Sequence, residues 1–235
     1  MHYYPKILAP FKRETSKSQF VNESLWSKPE FEMLKNCEWV WTAKADGTSI
    51  KLYWNGDKVQ FFGHTDKSQL SKLTLDYLNK TFGTSEAESV FEGLYGSNEV
   101  NVYGEFCSKE MNEDYGHPDG IFYVFDVQNA TSGKWWDRNS VEKFAESFNI
   151  DAVPIMLKGT IVDAVEYVKT INATWNKYLK SEIYQISKCL KLFCPFSNNA
   201  KLEGLVGRLP YELLDANGER IITKVKCRDY PDNTF

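Results

Sequence analysis

Alternating apolar and polar positions divide the first third of the chain into strands around one central stretch. The run Trp39–Trp54 carries apolar residues up to a single lysine and then alternates again, which predicts two strands joined through Lys44–Gly47. The dipeptide Asn55–Gly56 is a hairpin turn signal and predicts a third strand over 58–62. This arrangement leaves one lysine at a strand end, where a pocket can hold its amine.

The remaining periodic segments predict a mixture of helices and strands. Apolar runs and period-2 alternation predict strands over 99–106, 121–127, 152–157, 203–206 and 220–226. Helical spacing and capping signals predict helices over Ser27–Asn36, around Leu70–Tyr77 and Val141–Phe148, from the Thr160 and Asp163 capping box onward, and up to about Leu192. The segment to about Trp26 is predicted to be irregular, and a connection that contains glycine and serine is predicted before the strand at Glu99. The fold class is therefore α+β with mostly antiparallel sheets, in a single domain over 1–235.

Composition narrows the classes of partner and compartment. The chain has 235 residues, a net charge of −4 and 42% hydrophobic residues, so no global cationic field attracts nucleic acid and any polyanion site must be local. The N-terminus lacks the pattern of a signal peptide, and no apolar run reaches membrane-spanning length. Five scattered cysteines without a C-x-x-C pair are typical of reduced thiols. We therefore expect a cytoplasmic protein with no membrane partner.

Four clusters downstream supply groups that a reactive lysine needs. They are two strand-end glutamates that each adjoin a glycine, an aromatic residue followed by an aspartate, and two lysines on one face of a strand: Glu105, Glu203, Phe125 with Asp126, and Lys224 with Lys226. Taken singly, each has an ordinary interpretation as a solvated turn, a strand-end acid, a core aromatic or an exposed strand face. Taken in order with Lys44, they form one pattern.

That pattern resembles the covalent nucleotidyltransferases, which comprise ATP-dependent DNA and RNA ligases and mRNA capping guanylyltransferases. K-x-D-G, Y-G-E, F-D, E-G-x-V and K-x-K are similar to motifs I, III, IIIa, IV and V of that family, and the match lies between residues 39 and 230. Thr48–Ser49 after motif I and the segment 63–70 are more similar to RNA ligases of the phage and RNA-editing branch. The resemblance implies a ligase-type adenylation domain whose largely antiparallel sheets are flanked by helices.

The resemblance also implies a reaction. Lys44 would attack the α-phosphate of ATP, release pyrophosphate and become a lysyl-AMP phosphoramidate. AMP would then pass to a polynucleotide 5′-phosphate, and a 3′-hydroxyl would displace it to join the strands. Catalytic roles would fall to Lys44, Asp46, Asp126, Lys224 and Lys226, and nucleotide contacts to Lys44, Gly47, His64, Glu105, Phe125, Glu203, Lys224 and Lys226.

The resemblance also implies individual roles, and the chemistry of each side chain agrees with them. Phe125 would stack on adenine, because a purine face packs well on an aromatic ring. Glu105 would accept hydrogen bonds from the ribose hydroxyls, and Asp126 would lie near the reacting phosphate. Glu203 and Asp126 would hold Mg²⁺ or Mn²⁺, or its water ligands, through their hard oxygen atoms.

The sequence departs from the family pattern in three places. Ala43 replaces a common glutamate, and His64 replaces an arginine whose bidentate phosphate contact a histidine cannot make. We expect His64 to donate a single hydrogen bond instead. Few residues follow Lys226, so we expect no C-terminal OB-fold or helical domain and allow for a partner that helps to grip the substrate.

The predicted protein is thus an ATP-dependent RNA ligase-like monomer. Its substrate would be RNA with 5′-phosphate and 3′-hydroxyl ends, or a nicked duplex, as in RNA repair. For a phage protein the compartment would be the host cytoplasm. Three alternatives remain open: a capping-type guanylyltransferase, a non-catalytic binder of nucleic-acid ends, and a nucleotidyltransferase that modifies another substrate.

Overall fold

The computed structural model describes residues 4–65, 68–110, 117–179, 194–196 and 201–231. The chain divides into two compact units, and each carries one sheet. We call Met1–Pro5 with Asp46–Val153 the five-stranded unit, and Lys6–Ala45 with Pro154–Phe235 the four-stranded unit. The fold class is the mixed helix and sheet architecture that the sequence predicts. A single domain over 1–235 stays a prediction.

The described chain contains helices and strands, and most strands follow one another in pairs or threes. In chain order they are α1 (Pro29–Met33), β1 (Trp39–Ala43), β2 (Thr48–Trp54), β3 (Val59–Phe62), α2 (Lys72–Phe82), α3 (Ser85–Tyr95), β4 (Val100–Cys107), β5 (Ile121–Asn129), α4 (Arg138–Ser147), β6 (Asp151–Ala152), β7 (Ile155–Gly159), α5 (Ile161–Leu179), β8 (Gly204–Arg208), β9 (Ile222–Lys226) and a 3₁₀ turn (Cys227–Asp229).

The five-stranded unit has a sheet in the order β3-β2-β4-β5-β6, which is antiparallel except for the short parallel pair β5–β6. Alternation places Ile50, Leu52 and Trp54 on one face of β2, where they join a core that includes Phe82 of α2 and Phe91 of α3. Each such buried side chain contributes about 1.5–3 kcal/mol relative to an exposed one. The opposite face of the sheet is left to carry polar groups.

The four-stranded unit has a fully antiparallel sheet in the order β7-β1-β8-β9. Strand β1 lies inside this sheet, and its Trp39 and Trp41 are completely buried. Helix α5 contacts β7, β8 and β9 through an apolar face on which Val165 and Val168 are buried. The strand that leads to Lys44 is therefore fixed on both edges and packed against an apolar layer.

Most predicted elements are confirmed, and the capping box at the start of α5 is among them. Thr160 Oγ1 accepts from the backbone N–H of Asp163, and Asp163 Oδ2 accepts from the N–H of Thr160, at 3.2 and 2.8 Å. The turn glycines Gly56 and Gly218 both have positive φ, a conformation that glycine adopts without steric cost. The helix predicted up to about Leu192 lies beyond Leu179, outside the described residues.

Three predictions were wrong in detail. Residues 85–95 form helix α3, where the sequence analysis predicts only a connection that contains glycine and serine, and Thr84 caps it by accepting from the N–H of Ala87. The strand predicted over 152–157 is two strands in different sheets, because Pro154 has no N–H for a continuous ladder. Helix α1 ends at Met33, and Ser27 does not cap it, since its hydroxyl donates to the carbonyl of Ala9 at 2.5 Å.

The sequence predicts no segment long and apolar enough to span a membrane. Among the helices described here, none combines the length and the apolar character needed to cross a bilayer.

Candidate active site

The candidate residues fall into two groups, one in each unit. In the four-stranded unit, the chain continues from β1 into Lys44, whose N–H donates to the carbonyl of Gly204 at 2.9 Å. This bond fixes the backbone of the lysine beside the start of β8. The Lys44 side chain is 22% exposed, so its ammonium is largely withdrawn from water but still reachable.

The ammonium of Lys44 pairs with a carboxylate that also holds a second lysine. Lys44 Nζ lies 2.6 Å from Glu203 Oε2, and Lys226 Nζ lies 2.5 Å from Glu203 Oε1. Burial alone would raise the pKa of Glu203, but the ammonium groups of Lys44 and Lys226 outweigh it and leave that pKa below its usual range. Glu203 is therefore a carboxylate anion that bridges two cations.

A third lysine completes the cluster. Lys224 and Lys226 are both partly exposed on β9 while Val225 between them is buried, which confirms that the two lysines share one strand face. Burial first, and then the positive charges of Lys226 and Lys44, lower the pKa of Lys224. Glu203 thus lies among three amines, and Asp229 also acts on Lys224. The concentration of positive charge suits a phosphate group.

Glycine at position 204 lets the strands approach closely enough to build this cluster. A side chain at Gly204 would bring a Cβ atom within 2.2 Å of the carbonyl oxygen of Val225 on β9. Strand β9 could not then pair in its present register, in which Gly204 faces Lys226. The E-G pair of motif IV therefore serves to bring Glu203 beside the two strand lysines.

In the five-stranded unit, the turn after Lys44 is held by Glu105. Glu105 Oε1 accepts from the backbone N–H of Gly47 at 3.1 Å. A Cβ atom at Gly47 would lie 2.3 Å from the carbonyl oxygen of Phe106, so only glycine fits this close approach. Asp46, just before it, is exposed. Gly47 is thus anchored to Glu105 on β4 within the five-stranded unit.

Phe125 and Asp126 lie on β5 beside a register shift in the β4–β5 pairing. The shift falls between Tyr103 and Gly104, and it places Asp126 directly opposite Tyr103. Asp126 is only 3% exposed, whereas Phe125 is half-buried and keeps part of its ring accessible. An accessible ring next to a buried carboxylate is compatible with the predicted roles of adenine platform and phosphate neighbour.

One residue at this place was not predicted from the sequence. Tyr4 donates its hydroxyl hydrogen to Asp126 Oδ2 at 2.5 Å. Its ring makes edge-on contacts with the rings of Tyr103, Phe125 and Trp135, at centroid distances of 5.1, 5.1 and 5.5 Å. No local motif reveals it, because 122 residues separate Tyr4 from Asp126 along the chain.

His64 follows β3 and lies in an open cleft on the polar side of the five-stranded sheet. The cleft is shallow, and Tyr4, Ser49, Lys51 and Tyr103 also line it. These side chains offer hydrogen-bond donors, and Lys51 adds a buried positive charge. His64 itself is exposed. Its role as a donor of one hydrogen bond stays a prediction.

The predicted metal ligands do not form a metal centre by themselves. Within the described ranges, no group of three or more histidine, cysteine or acidic side chains could hold an ion. Both oxygens of Glu203 contact ammonium groups, and Asp126 accepts from Tyr4. This donor set does not fit a protein-only cage. It fits the habit of Mg²⁺, which commonly takes one or two carboxylates together with water and substrate phosphates.

Comparison with known proteins gives the family. The family model for RNA ligase matches residues 37–226. Among solved structures, Naegleria gruberi RNA ligase with PPi superposes with a TM-score of 0.59 at 16% identity, over 95% of this chain and 59% of that one.

Variants of the same ligase give similar matches. One with ATP and Mn has a TM-score of 0.58 at 15% identity over 95% of this chain and 57% of that one. Another, with AMP and Mn, has a TM-score of 0.57 at 16% identity over 95% and 59%. At such identities the likeness shows the fold, and the chain spans less than two thirds of these ligases. The ordered motifs, the shared fold and a family match over most of its length together establish that the chain belongs to the RNA ligase family.

Proposed function

We propose that the protein is an ATP-dependent polynucleotide ligase that acts on RNA and carries AMP on Lys44. The observation that supports this most directly is the cluster in which Glu203 bridges Lys44 and Lys226 at 2.6 and 2.5 Å beside Lys224. An amine in such a place adjoins both fixed positive charge for a phosphate and a carboxylate that can receive a proton.

The first step forms a phosphorus–nitrogen bond. The amine of Lys44 must lose a proton before it attacks, and Glu203 Oε2 lies nearer to it than the carbonyl of Ala45, at 2.6 against 3.3 Å. The neutral amine then attacks the α-phosphorus of ATP, and the bond to pyrophosphate breaks. Lys224 and Lys226 would stabilise the negative charge that develops on the phosphate oxygens.

The next two steps return Lys44 to its free state. A 5′-phosphate oxygen attacks the lysyl-AMP phosphorus, the phosphorus–nitrogen bond breaks, and the AMP-capped end leaves with the amine free. A 3′-hydroxyl then attacks the 5′-phosphate, a phosphodiester forms and AMP departs. In this account Phe125 stacks on the adenine, Glu105 accepts from the ribose, and His64 donates to a phosphate, while Asp46 and Asp126 assist near the reacting group.

ATP would bring the divalent metal with it, since its phosphates supply the oxygen ligands that the described side chains lack. Mg²⁺ or Mn²⁺ would neutralise charge on the phosphates. Glu203 and Asp126 are the carboxylates that we propose to hold the metal or its water ligands. The protein is proposed to act as a monomer.

Labelling with radioactive nucleotide tests the proposal. The protein is incubated with α-labelled ATP or GTP and Mg²⁺, and we expect an acid-labile protein adduct with ATP that Lys44→Ala abolishes. The adduct should then transfer its label to 5′-phosphorylated RNA. No adduct with either nucleotide would contradict the enzyme and favour a binder of nucleic-acid ends.

The other outcomes separate the remaining alternatives. An adduct that forms with GTP in preference to ATP would support a capping-type guanylyltransferase. An adduct that forms with ATP but transfers to neither RNA nor a nicked duplex would point to a different acceptor.

A further inference from the structure

The hydroxyl of Tyr4 meets a carboxylate that has little access to water. Asp126 is 3% exposed, and a carboxylate so buried is costly unless hydrogen-bond donors reach it. The phenol of Tyr4 is such a donor, and its 2.5 Å distance to Oδ2 is in the range of strong hydrogen bonds to charged oxygens. The bond points one lone pair of Asp126 toward Tyr4 and so restricts the orientation of the carboxylate.

The ring of Tyr4 is fixed by three others. Its plane makes angles of 79° with Phe125, 79° with Trp135 and 63° with Tyr103, which is the edge-to-face geometry that aromatic pairs favour. The rings of Tyr103 and Trp135 also contact each other at 5.5 Å. Tyr4 therefore lies among three aromatic side chains, and one of them is the proposed adenine platform.

Tyr4 thus contacts two residues of the proposed reaction: its hydroxyl bonds to Asp126 and its ring packs against Phe125. We propose that Tyr4 is a positioning residue: its hydroxyl holds the carboxylate of Asp126, and its ring holds Phe125, in the orientation that adenylylation of Lys44 requires. The proposal rests on the function proposed above. It adds to the reaction a residue near the N-terminus that lies outside every motif.

The two parts of the side chain predict different kinetic effects. Tyr4→Phe removes only the hydroxyl, so the maximal rate of adduct formation should fall about ten- to a hundredfold, as for loss of a hydrogen bond to a charged group. ATP affinity should stay within about twofold. Tyr4→Ala also removes the ring, and it should weaken ATP binding a further two- to tenfold, the range measured for aromatic pairs.

The chain offers a matched control for the hydroxyl. Tyr53 is on β2 of the same sheet, and its hydroxyl is hydrogen-bonded to the carboxylate of Glu99. Tyr53→Phe breaks a phenol–carboxylate pair that touches no residue of the proposed site. We expect this variant to form adduct at the wild-type rate. Circular dichroism and thermal melting would establish that each variant is folded.

A double variant tests whether Tyr4 acts through Asp126. If it does, adding Tyr4→Phe to Asp126→Asn should cause no further loss of rate, because the positioned group is already changed. ATP affinity is measured separately by calorimetry in the Lys44→Met background, where no adduct can form. This readout depends on nucleotide binding alone.

Several outcomes would overturn the proposal. A Tyr4→Phe rate equal to wild type would do so, as would losses that multiply in the double variant. Tighter ATP binding by Tyr4→Ala would mean that the ring occupies the place of the nucleotide instead of supporting it. If the wild-type protein forms no adduct, the proposed function itself fails, and that result is distinct from a wild-type adduct that Tyr4→Phe leaves unchanged.

Discussion

Two buried carboxylates of this protein are stabilised in opposite ways. In the four-stranded unit, Glu203 is held between the ammonium groups of Lys44 and Lys226. In the five-stranded unit, Asp126 accepts from the neutral phenol of Tyr4 and lies beside aromatic rings. The depressed pKa of Glu203 makes its contribution depend on pH, whereas the hydrogen bond between Tyr4 and Asp126 fixes an orientation. We infer that substitutions in the first alter the chemical step and the pH dependence. In the second, loss of an aromatic ring should weaken nucleotide binding, whereas loss of the Tyr4 hydroxyl should slow adduct formation.

Among the lysines around Glu203, the largest effect on the rate of adduct formation is expected from Lys226→Met. This change keeps the length of the side chain but removes a proposed phosphate contact, and loss of one such donor costs about a hundred- to a thousandfold in rate. Single-turnover formation of the labelled adduct is the measurement. Lys58→Met is the matched control, because Lys58 also pairs with a carboxylate, that of Glu88, but lies outside both groups. A comparable loss in the control would show a nonspecific effect of charge.

Among the aromatic rings beside Asp126, the largest effect on ATP binding is expected from Phe125→Ala. Loss of base–aromatic stacking costs about 1–3 kcal/mol, so ATP should bind roughly ten- to a hundredfold more weakly. The maximal rate at saturating ATP should change much less than it does in Lys226→Met. Titration of adduct formation against ATP concentration gives both quantities, and Phe125→Tyr, which retains a ring, should bind nearly as wild type. An unchanged ATP affinity in Phe125→Ala would show that Phe125 does not stack on the adenine.

The stability of the protein should also depend on the charge of Glu203. Glu203→Gln leaves Lys44 and Lys226 without the carboxylate that pairs with both, and we expect a loss of about 1–3 kcal/mol in the free energy of unfolding, measured by denaturant titration. Because the folded pKa of Glu203 is depressed, its contribution is complete above the unfolded value near 4.5 and is lost as the pH falls through the folded one. The difference in stability between wild type and Glu203→Gln should therefore shrink in acid. A constant difference would contradict this assignment.

The smallest effect on stability is expected from Lys224→Met, which should make the protein more stable rather than less. Burial and the neighbouring lysines lower the pKa of Lys224, so its charge is unfavourable in the folded protein at neutral pH. Methionine removes that charge at similar volume, and we expect a gain of about 0.5 kcal/mol in stability together with a loss of adduct formation. Wild type should approach the variant as the pH rises from the depressed value toward 10.5. If Lys224→Met were less stable than wild type at neutral pH, the charge of Lys224 would not be unfavourable in the folded protein.

The sequence predicted much of this arrangement because the chemistry is local. Lys44 follows a strand by period-2 alternation, and Lys224 and Lys226 share a face for the same reason. The pairing of Glu203 with both lysines could not be read from the sequence, because it depends on how β8 aligns with β9. The contact of Tyr4 with Asp126 depends in the same way on tertiary packing.

The errors in the predicted elements have different physical causes. The apolar spacing of Ala87, Phe91 and Tyr95 does favour a helix, and the nearby glycine and serine residues obscured it. The break at Pro154 was available from the sequence, since proline interrupts a ladder. The position of Ser27 was not, because its partner Ala9 is distant in the chain.

The central claim is that Lys44 carries the adenylyl group. The most direct test incubates the wild-type protein with ATP and Mg²⁺, digests it, and locates the modified peptide by mass spectrometry under conditions that preserve a phosphorus–nitrogen bond. We predict one adenylyl group on the peptide that contains Lys44, at its side-chain nitrogen. An adenylyl group on Lys224 or Lys226 instead, or an unmodified protein, would contradict the account.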